Sequence, residues 1–268
     1  MRRTFMNILA AASLSLSAGA AIAASCGNTA SGFDAWKREF AAEAQRAGVG
    51  ERGIQALMGA PYSSYTIKVD RSQKGVKYPL DEFIRIRLGS VDGFAAQVRK
   101  RRDQNRQFYN ALEQRYGVPA GVLLAIHGME TGFGRTMGNV PVVSSITTVA
   151  YDCRRSAFFT PHAIAALQMV DRGMLSPSQQ GAAHGELGHT QFLPGNALRY
   201  GVDGNGDGRV DFYNQYDALA STANFLRQKG WQPGQPFGEG TANFRVLNEW
   251  NAATVYQQAI ALVAQKVG

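Results

Sequence analysis

Glu130 is the only acidic residue between Gln114 and Tyr151. It ends the apolar run Gly-Val-Leu-Leu-Ala-Ile-His-Gly-Met and stands just before Thr-Gly-Phe-Gly-Arg. A carboxyl placed there has chemistry within reach. On a helical period, Leu123, Ile126 or His127, and Glu130 share one face, so the acid falls on the apolar side near a helix C-terminus. Burial disfavours the carboxylate anion, and the negative end of the helix dipole repels it. A glutamic acid kept protonated near neutral pH is a general acid. Gly132 and Gly134 let the chain turn sharply and leave room for a ligand. The same spacing also fits an exposed, helix-ending glutamate paired with Arg135. His127, three residues before the acid, reads first as a structural histidine.

A second group of oxygen-bearing side chains lies at Asp203, Asn205, Asp207 and Asp211, with Gly208 between them. They occupy positions 1, 3, 5 and 9 of an EF-hand loop, with glycine at 6 and the carbonyl of Arg209 at 7. Position 12 is Asn214, so the bidentate glutamate is missing; Asp217, three residues on, would replace it in a longer loop. The expected ion is calcium in a structural role, bound weakly, and no cofactor is expected for catalysis. The alternative is a polar turn between helices. The two cysteines, Cys26 and Cys153, lack the histidine pattern of a zinc site. They leave two readings open, a disulfide or a lipidated Cys26. Ala23-Ala24-Ser25 lacks the leucine of a lipoprotein signal, which favours the disulfide.

These residues need elements to carry them. Residues 1–23 begin with Arg2 and Arg3, continue as a short run of small apolar residues and end in Ala-Ile-Ala, the pattern of a secretory signal peptide. The 268 residues are 45% hydrophobic and 18% charged, a globular composition that suits one large core or two small ones. The formal charge of +8, two units of which belong to Arg2 and Arg3, suits an exported protein drawn to an anionic polymer. Arg99–Arg102 reads as a solvated helix face; no aromatic residue interrupts it, which argues against a nucleic-acid partner. Periodicity predicts helices over 33–47, 51–58, most of 80–116 with a break at 89–93, from Pro119 to Glu130, and over 145–151, 161–172, 217–230 and a last stretch around 255–263. Residues 62–79 read as loop or short extended chain. No strand series is visible, so the architecture is expected to be mainly α.

The stretch Tyr116–Arg135, with the later Gly185–Trp231 and, more weakly, Asn243–Ala264, resembles the lytic murein transglycosylases, in particular the membrane-bound lytic transglycosylase B family. The resemblance runs over roughly residues 116–262. It implies a lysozyme-like (goose-type), mostly helical catalytic domain over 24–268, with an N-terminal helical part at 31–116 and the lysozyme-like core at 117–268. It implies cleavage of the MurNAc–GlcNAc bond of peptidoglycan without water, leaving a 1,6-anhydro ring, with Glu130 as acid and then base. Gln191 matches a glutamine lining the cleft. Asn251 and Tyr256 match residues near the acid, and Trp250 stands where the B-type enzyme has tyrosine. Arg154 and Arg155 match an arginine pair that could meet the acidic peptide stems. Glu186 departs from the pattern, which often has alanine there.

The expected protein is therefore an exported or periplasmic monomer acting on peptidoglycan strands, with other cell-wall enzymes as further partners. Two other functions stay open. A muramidase would add water and use Glu186 as a second carboxylate. A wall-binding scaffold would use the same surface without turnover.

Overall fold

The computed structural model describes residues 24–73 and 78–268. The signal-peptide expectation for residues 1–23 falls outside the described residues. A 3-10 turn at Ala30–Gly32 leads into α1 (Phe33–Arg46), α2 (Glu51–Gly59), α3 (Ser64–Ser72), α4 (Leu80–Arg87), α5 (Val91–Gln104), α6 (Arg106–Tyr116) and α7 (Ala120–Thr131). Then follow β1 (Val140–Pro141), α8 (Val142–Tyr151), α9 (Ser156–Asp171) and β2 (Gln180–Gly181), which pairs antiparallel with β1. The chain continues through α10 (Pro194–Tyr200), α11 (Gln215–Gln228), α12 (Ala242–Trp250) and α13 (Thr254–Val267). The expected mainly α architecture is what the chain adopts.

The centre of the molecule is α7. Residues Ala120 to Met129 are all buried, on every side of the helix. It packs against α5, α6, α11 and α13. Each fully buried Leu or Ile there contributes roughly 1.5–3 kcal/mol relative to exposure. Glu130 is the first residue of this helix to regain partial exposure. The one-face reading of α7 is thus corrected: the helix has no polar face, and Glu130 meets solvent because the helix ends there.

Two local expectations also change. Residues 64–72 are helical where loop was expected. Ser63 Oγ accepts the amide of Thr66 at 3.2 Å, and Thr66, Ile67 and Asp70 turn inward at helical spacing. The β-branched Thr66, Ile67 and Val69 lower local helix propensity, and packing on α8 outweighs that. α9 begins at Ser156 rather than Pro161. The ring is accommodated in the second turn at the loss of one backbone hydrogen bond.

The Arg99–Arg102 run is engaged in the fold. Arg99 Nη1 donates to Lys266 O at 2.6 Å and Arg102 Nη1 to Val267 O at 2.9 Å, so both cap the carbonyl end of α13. Arg101 lies over the Phe133 ring, 3.7 Å from its centroid. Cations at a helix C-terminus also offset its dipole.

Candidate active site

α7 is stopped by Gly132 at φ 59°, and Phe133 (φ 63°) and Gly134 (φ 85°) stay left-handed after it. Left-handed backbone at a residue with a side chain is strained and persists where neighbours fix it. Thr131 Oγ1 donates to His189 O at 2.7 Å and accepts the amide of Gly134 at 2.9 Å. Phe133 is held between Phe94, at 5.5 Å between centroids, and Arg101. The glycine-rich turn is therefore a rigid end to the helix that carries Glu130.

Glu130 Oε1 accepts two hydrogen bonds, from Tyr256 Oη at 2.6 Å and from Trp250 Nε1 at 3.1 Å. Both donors come from the α12–α13 corner. Asn251 builds that corner: its Oδ1 accepts the amide of Ala253 at 2.9 Å and its carbonyl accepts from Gln257 Nε2 at 2.8 Å. Arg87 donates to Met129 O at 2.8 Å, which brings its guanidinium beside the acid. Burial pushes the Glu130 carboxyl above its ordinary value. The Tyr256 and Trp250 hydrogen bonds and the Arg87 charge pull it down, the Glu186 charge adds to the rise, and the net direction is up.

Two cavities meet at Glu130, the one residue they share. The first, about 260 Å³, is lined by Glu130, Glu186, Gln191, Asn196, Trp250 and Asn251 among others. The second, about 360 Å³, includes Ile86, Arg87, Gln97, Phe133 and Arg135. An apolar hollow of about 350 Å³ between α2 and α8 lies apart from these residues. Gln191 sits at φ 56° in a tight hairpin in which Leu187 and Phe192 exchange backbone hydrogen bonds at 2.8 and 3.0 Å. Its Nε2 donates to Gly188 O at 2.8 Å.

Glu186 is in the same cavity but differently held. Its Oε2 accepts the amide of His184 at 2.9 Å, and Oε1 lies 3.2 Å from His184 Nδ1. Burial alone would raise this carboxyl; the hydrogen bonds and charge interaction with His184 outweigh it, and the net direction is down. Environments that push two carboxyls of one cleft in opposite directions assign them opposite protonation states between the two values.

Arg154 and Arg155, expected to face peptide stems, are instead drawn onto buried Asp70. Arg154 Nε donates to Asp70 Oδ2 at 2.7 Å, and Arg155 pairs with Asp70 Oδ1. Neither lines the cavities around Glu130. Asp70 and His184 are the residues that sequence reading passed over; Asp70 lies in the stretch taken for loop. His127 does not touch Glu130. Its Nε2 is 2.9 Å from His189 Nδ1, and burial, reinforced by His189 and Arg101, pushes its value down to about 3, so the ring is neutral. Cys26 and Cys153 form a disulfide, with Cα atoms 5.0 Å apart.

In the 203–217 loop, Asp203 accepts the amides of Gly206 at 2.6 Å and Gly208 at 2.7 Å. Asn205 Oδ1 accepts from Asp207 N, Asp207 Oδ1 from Arg209 N, and Asp211 Oδ1 from Tyr213 N. Buried Asp217 accepts three loop amides, from Gly204, Asn205 and Asp211. The donor chemistry suits a hard cation. The side chains, however, serve as acceptors for their own loop, and among the described residues no three His, Cys, Asp or Glu side chains are gathered to hold a metal.

Comparison with known proteins finds relatives of this fold. A 134-residue stretch, 49% of this chain, is 31% identical to membrane-bound lytic murein transglycosylase B of Escherichia coli, of which it spans 37%. The chain thus covers little more than a third of that curated relative. The crystal structure of SltB3 from Pseudomonas aeruginosa in complex with NAG-anhNAM-pentapeptide is similar at TM-score 0.79 and 27% identity, over 88% of this chain and 79% of that one. Escherichia coli lytic transglycosylase Slt35 in complex with calcium shares the fold at TM-score 0.75 and 20% identity, over 91% of this chain and 96% of that one. The transglycosylase SLT domain model matches residues 32–240, so the helical frame around Glu130 is that of a known group, and the chain belongs to the transglycosylase SLT domain family.

Proposed function

We propose that residues 24–268 form an exported lytic transglycosylase that cleaves the MurNAc–GlcNAc β-1,4 bond of peptidoglycan and leaves a 1,6-anhydroMurNAc end. The observation that carries this reading is a single carboxyl, raised by burial, fixed by Tyr256 and Trp250 at the junction of two cavities. A glycan strand lying through both cavities would bring its scissile oxygen to Glu130. The protonated acid gives its proton to the leaving oxygen as the bond to the anomeric carbon breaks. The resulting carboxylate, stabilised by the Tyr256 and Trp250 donors, then takes the proton of the substrate's own 6-hydroxyl as that oxygen attacks. One carboxyl serves in both steps, so no activated water is required. SltB3 from Pseudomonas aeruginosa has been crystallised in complex with NAG-anhNAM-pentapeptide and with NAG-NAM-pentapeptide, which supports a glycan ligand for the corresponding groove here.

The muramidase reading needs a second carboxylate free to activate water. Glu186 is tied on both oxygens to His184, which weighs against it. Export rests on the pattern of residues 1–23. Among the described residues no helix is long and apolar enough to cross a membrane. Calcium is proposed as a structural ion of the loop, held by Asp203, Asn205, Asp207, Asp211 and the Arg209 carbonyl, with Asp217 fixing the width of the loop. It takes no part in the chemistry. The defining experiment is Glu130→Gln: release of soluble muropeptides from sacculi falls to background while the thermal midpoint is kept, and the wild-type products have the mass of anhydro-muropeptides, one water lighter than hydrolysis products. Substantial residual turnover in the variant refutes Glu130 as acid; hydrated wild-type products refute the non-hydrolytic route.

A further inference from the structure

The feature left unexplained by a one-carboxyl reaction is Glu186. A carboxylate lining the same cavity as a catalytic acid raises the electrostatic cost of the second charge. Here it is built in with care. His184 approaches it through both its backbone amide, 2.9 Å from Oε2, and its ring Nδ1, 3.2 Å from Oε1. The other ring nitrogen, Nε2, is buried 3.3 Å from Asp70 Oδ1 without a hydrogen bond to it. Asp70 is 2% exposed and gripped by Arg154 and Arg155, and the Phe159 ring stacks on His184 at 6.0 Å. Glu186 itself keeps 23% side-chain exposure, on the cavity that it shares with Glu130, Trp250 and Asn251. Phe159 packs the histidine in place beside a buried acid, and the histidine fixes a carboxylate at the cleft surface. This is the arrangement used to hold a reacting group in one orientation.

We infer that Glu186 is a second catalytic residue of the transglycosylase reaction, a fixed anion that accepts a hydrogen bond from the MurNAc 2-acetamido N–H, and that His184 is its positioning residue. The inference rests on the transglycosylase reading above. In the first step the Glu130 proton passes to the leaving oxygen, the C1–oxygen bond breaks, and the acetamido carbonyl oxygen bonds to C1. The positive charge of the resulting ring is shared by the acetamido nitrogen, whose N–H points to the Glu186 carboxylate. In the second step the 6-hydroxyl oxygen bonds to C1, the C1–acetamido oxygen bond breaks, and the hydroxyl proton goes to Glu130. Glu186 starts and ends ionised and transfers no proton. Preorganised charge aimed where charge develops is worth far more in a partly dry cleft than in water. The other acidic groups on this cavity are Glu130 from α7 and Glu249 from α12, the latter paired with Lys229 at 2.7 Å, so Glu186, held by His184 alone, is the fixed anion of this wall.

The test uses Glu186→Gln, His184→Asn and His184→Gln in the 24–268 protein, with sacculi as substrate and a MurNAc-derived thiazoline, whose protonated ring presents the same N–H and positive charge as the ring intermediate, as its mimic. Glu186→Gln should lower kcat about 100-fold with little change in KM, weaken the thiazoline at least about tenfold, and still give anhydro products. Among the histidine variants, Asn places an amide nitrogen near the Nδ1 position and should retain most of kcat. Gln places it near Nε2 and should lose kcat in the same direction as Glu186→Gln. Wild-type kcat and thiazoline affinity in Glu186→Gln overturn the inference, as does a loss that appears equally in KM and thermal midpoint. If wild-type products are hydrated, the transglycosylase reading fails first; if they are anhydro and Glu186→Gln is unimpaired, only this inference fails.

Discussion

At the scale of single residues, the chemistry depends on how far each carboxyl is moved from its ordinary value. Glu130 is raised, so its acid form is present below that raised value and is lost as pH rises through it. Glu186 is lowered, so its anion is present above that lowered value and is lost as pH falls through it. Activity is therefore expected between the two, with Glu130 setting the alkaline limb. Tyr256 donates to the Glu130 anion at 2.6 Å and so holds its value down. Tyr256→Phe removes that donor, and the alkaline limb of the kcat profile should move to higher pH while kcat at the optimum falls about tenfold. An alkaline limb that stays in place or moves down would contradict the assigned role. The position of Glu130 at a helix end was legible in the sequence. Its burial followed from the apolar run before it, and Trp250 and Tyr256 were reached only through the family resemblance; Arg87 was not anticipated, because it lies far away in the chain.

At the scale of elements, the readable parts were those whose burial has a period. α1, with Trp36, Phe40 and Ala44 inward, and α13, with Tyr256, Ile260 and Val263 inward, follow the pattern directly. α3 did not, since its local propensity is poor and its reason to be helical is α8. The 203–217 loop falls between these cases: its oxygen-rich residues were plain in the sequence, while the capture of Asp217 by three loop amides was not. If calcium joins this loop at an affinity of roughly 10⁻⁴–10⁻³ M, 10 mM calcium should raise the thermal midpoint by about 2–6 °C. Asp203→Asn should abolish the shift, and sacculus turnover well below the midpoint should be unchanged by a chelator. No shift at 10 mM would remove calcium from the account of this loop.

At the scale of the whole molecule, the N-terminal segment is tied to the middle of the chain. Gly27 N donates to Tyr151 O at 3.0 Å, Tyr151 Oη donates to Thr29 O at 2.9 Å, and the Cys26–Cys153 bridge closes a loop of 127 residues. In the chain-entropy model such a loop contributes about 4–5 kcal/mol. For a domain of this size that corresponds to a fall in thermal midpoint of about 10 °C or more in a Cys26→Ser, Cys153→Ser double variant. Activity at 25 °C should persist, because neither cysteine lines the cavities around Glu130. A change under about 3 °C would show that the segment is held by its hydrogen bonds and aromatic contacts alone.

The sequence by itself determined the helical class, the isolation of Glu130, the glycine stop that ends its helix, the cysteine pair and the family resemblance. These are local patterns or spacings, set by periodicity and by backbone conformations that few residues adopt. The tertiary structure alone decided which groups face one another. It turned Arg154 and Arg155 from candidates for an anionic ligand into partners of Asp70, and bound the basic run at 99–102 to the end of α13 and to Phe133. It also put Glu186 on the cavity wall with His184 behind it. Charge pairing over more than eighty residues of separation leaves no trace in local pattern, because the energy that selects it exists only once the helices have packed.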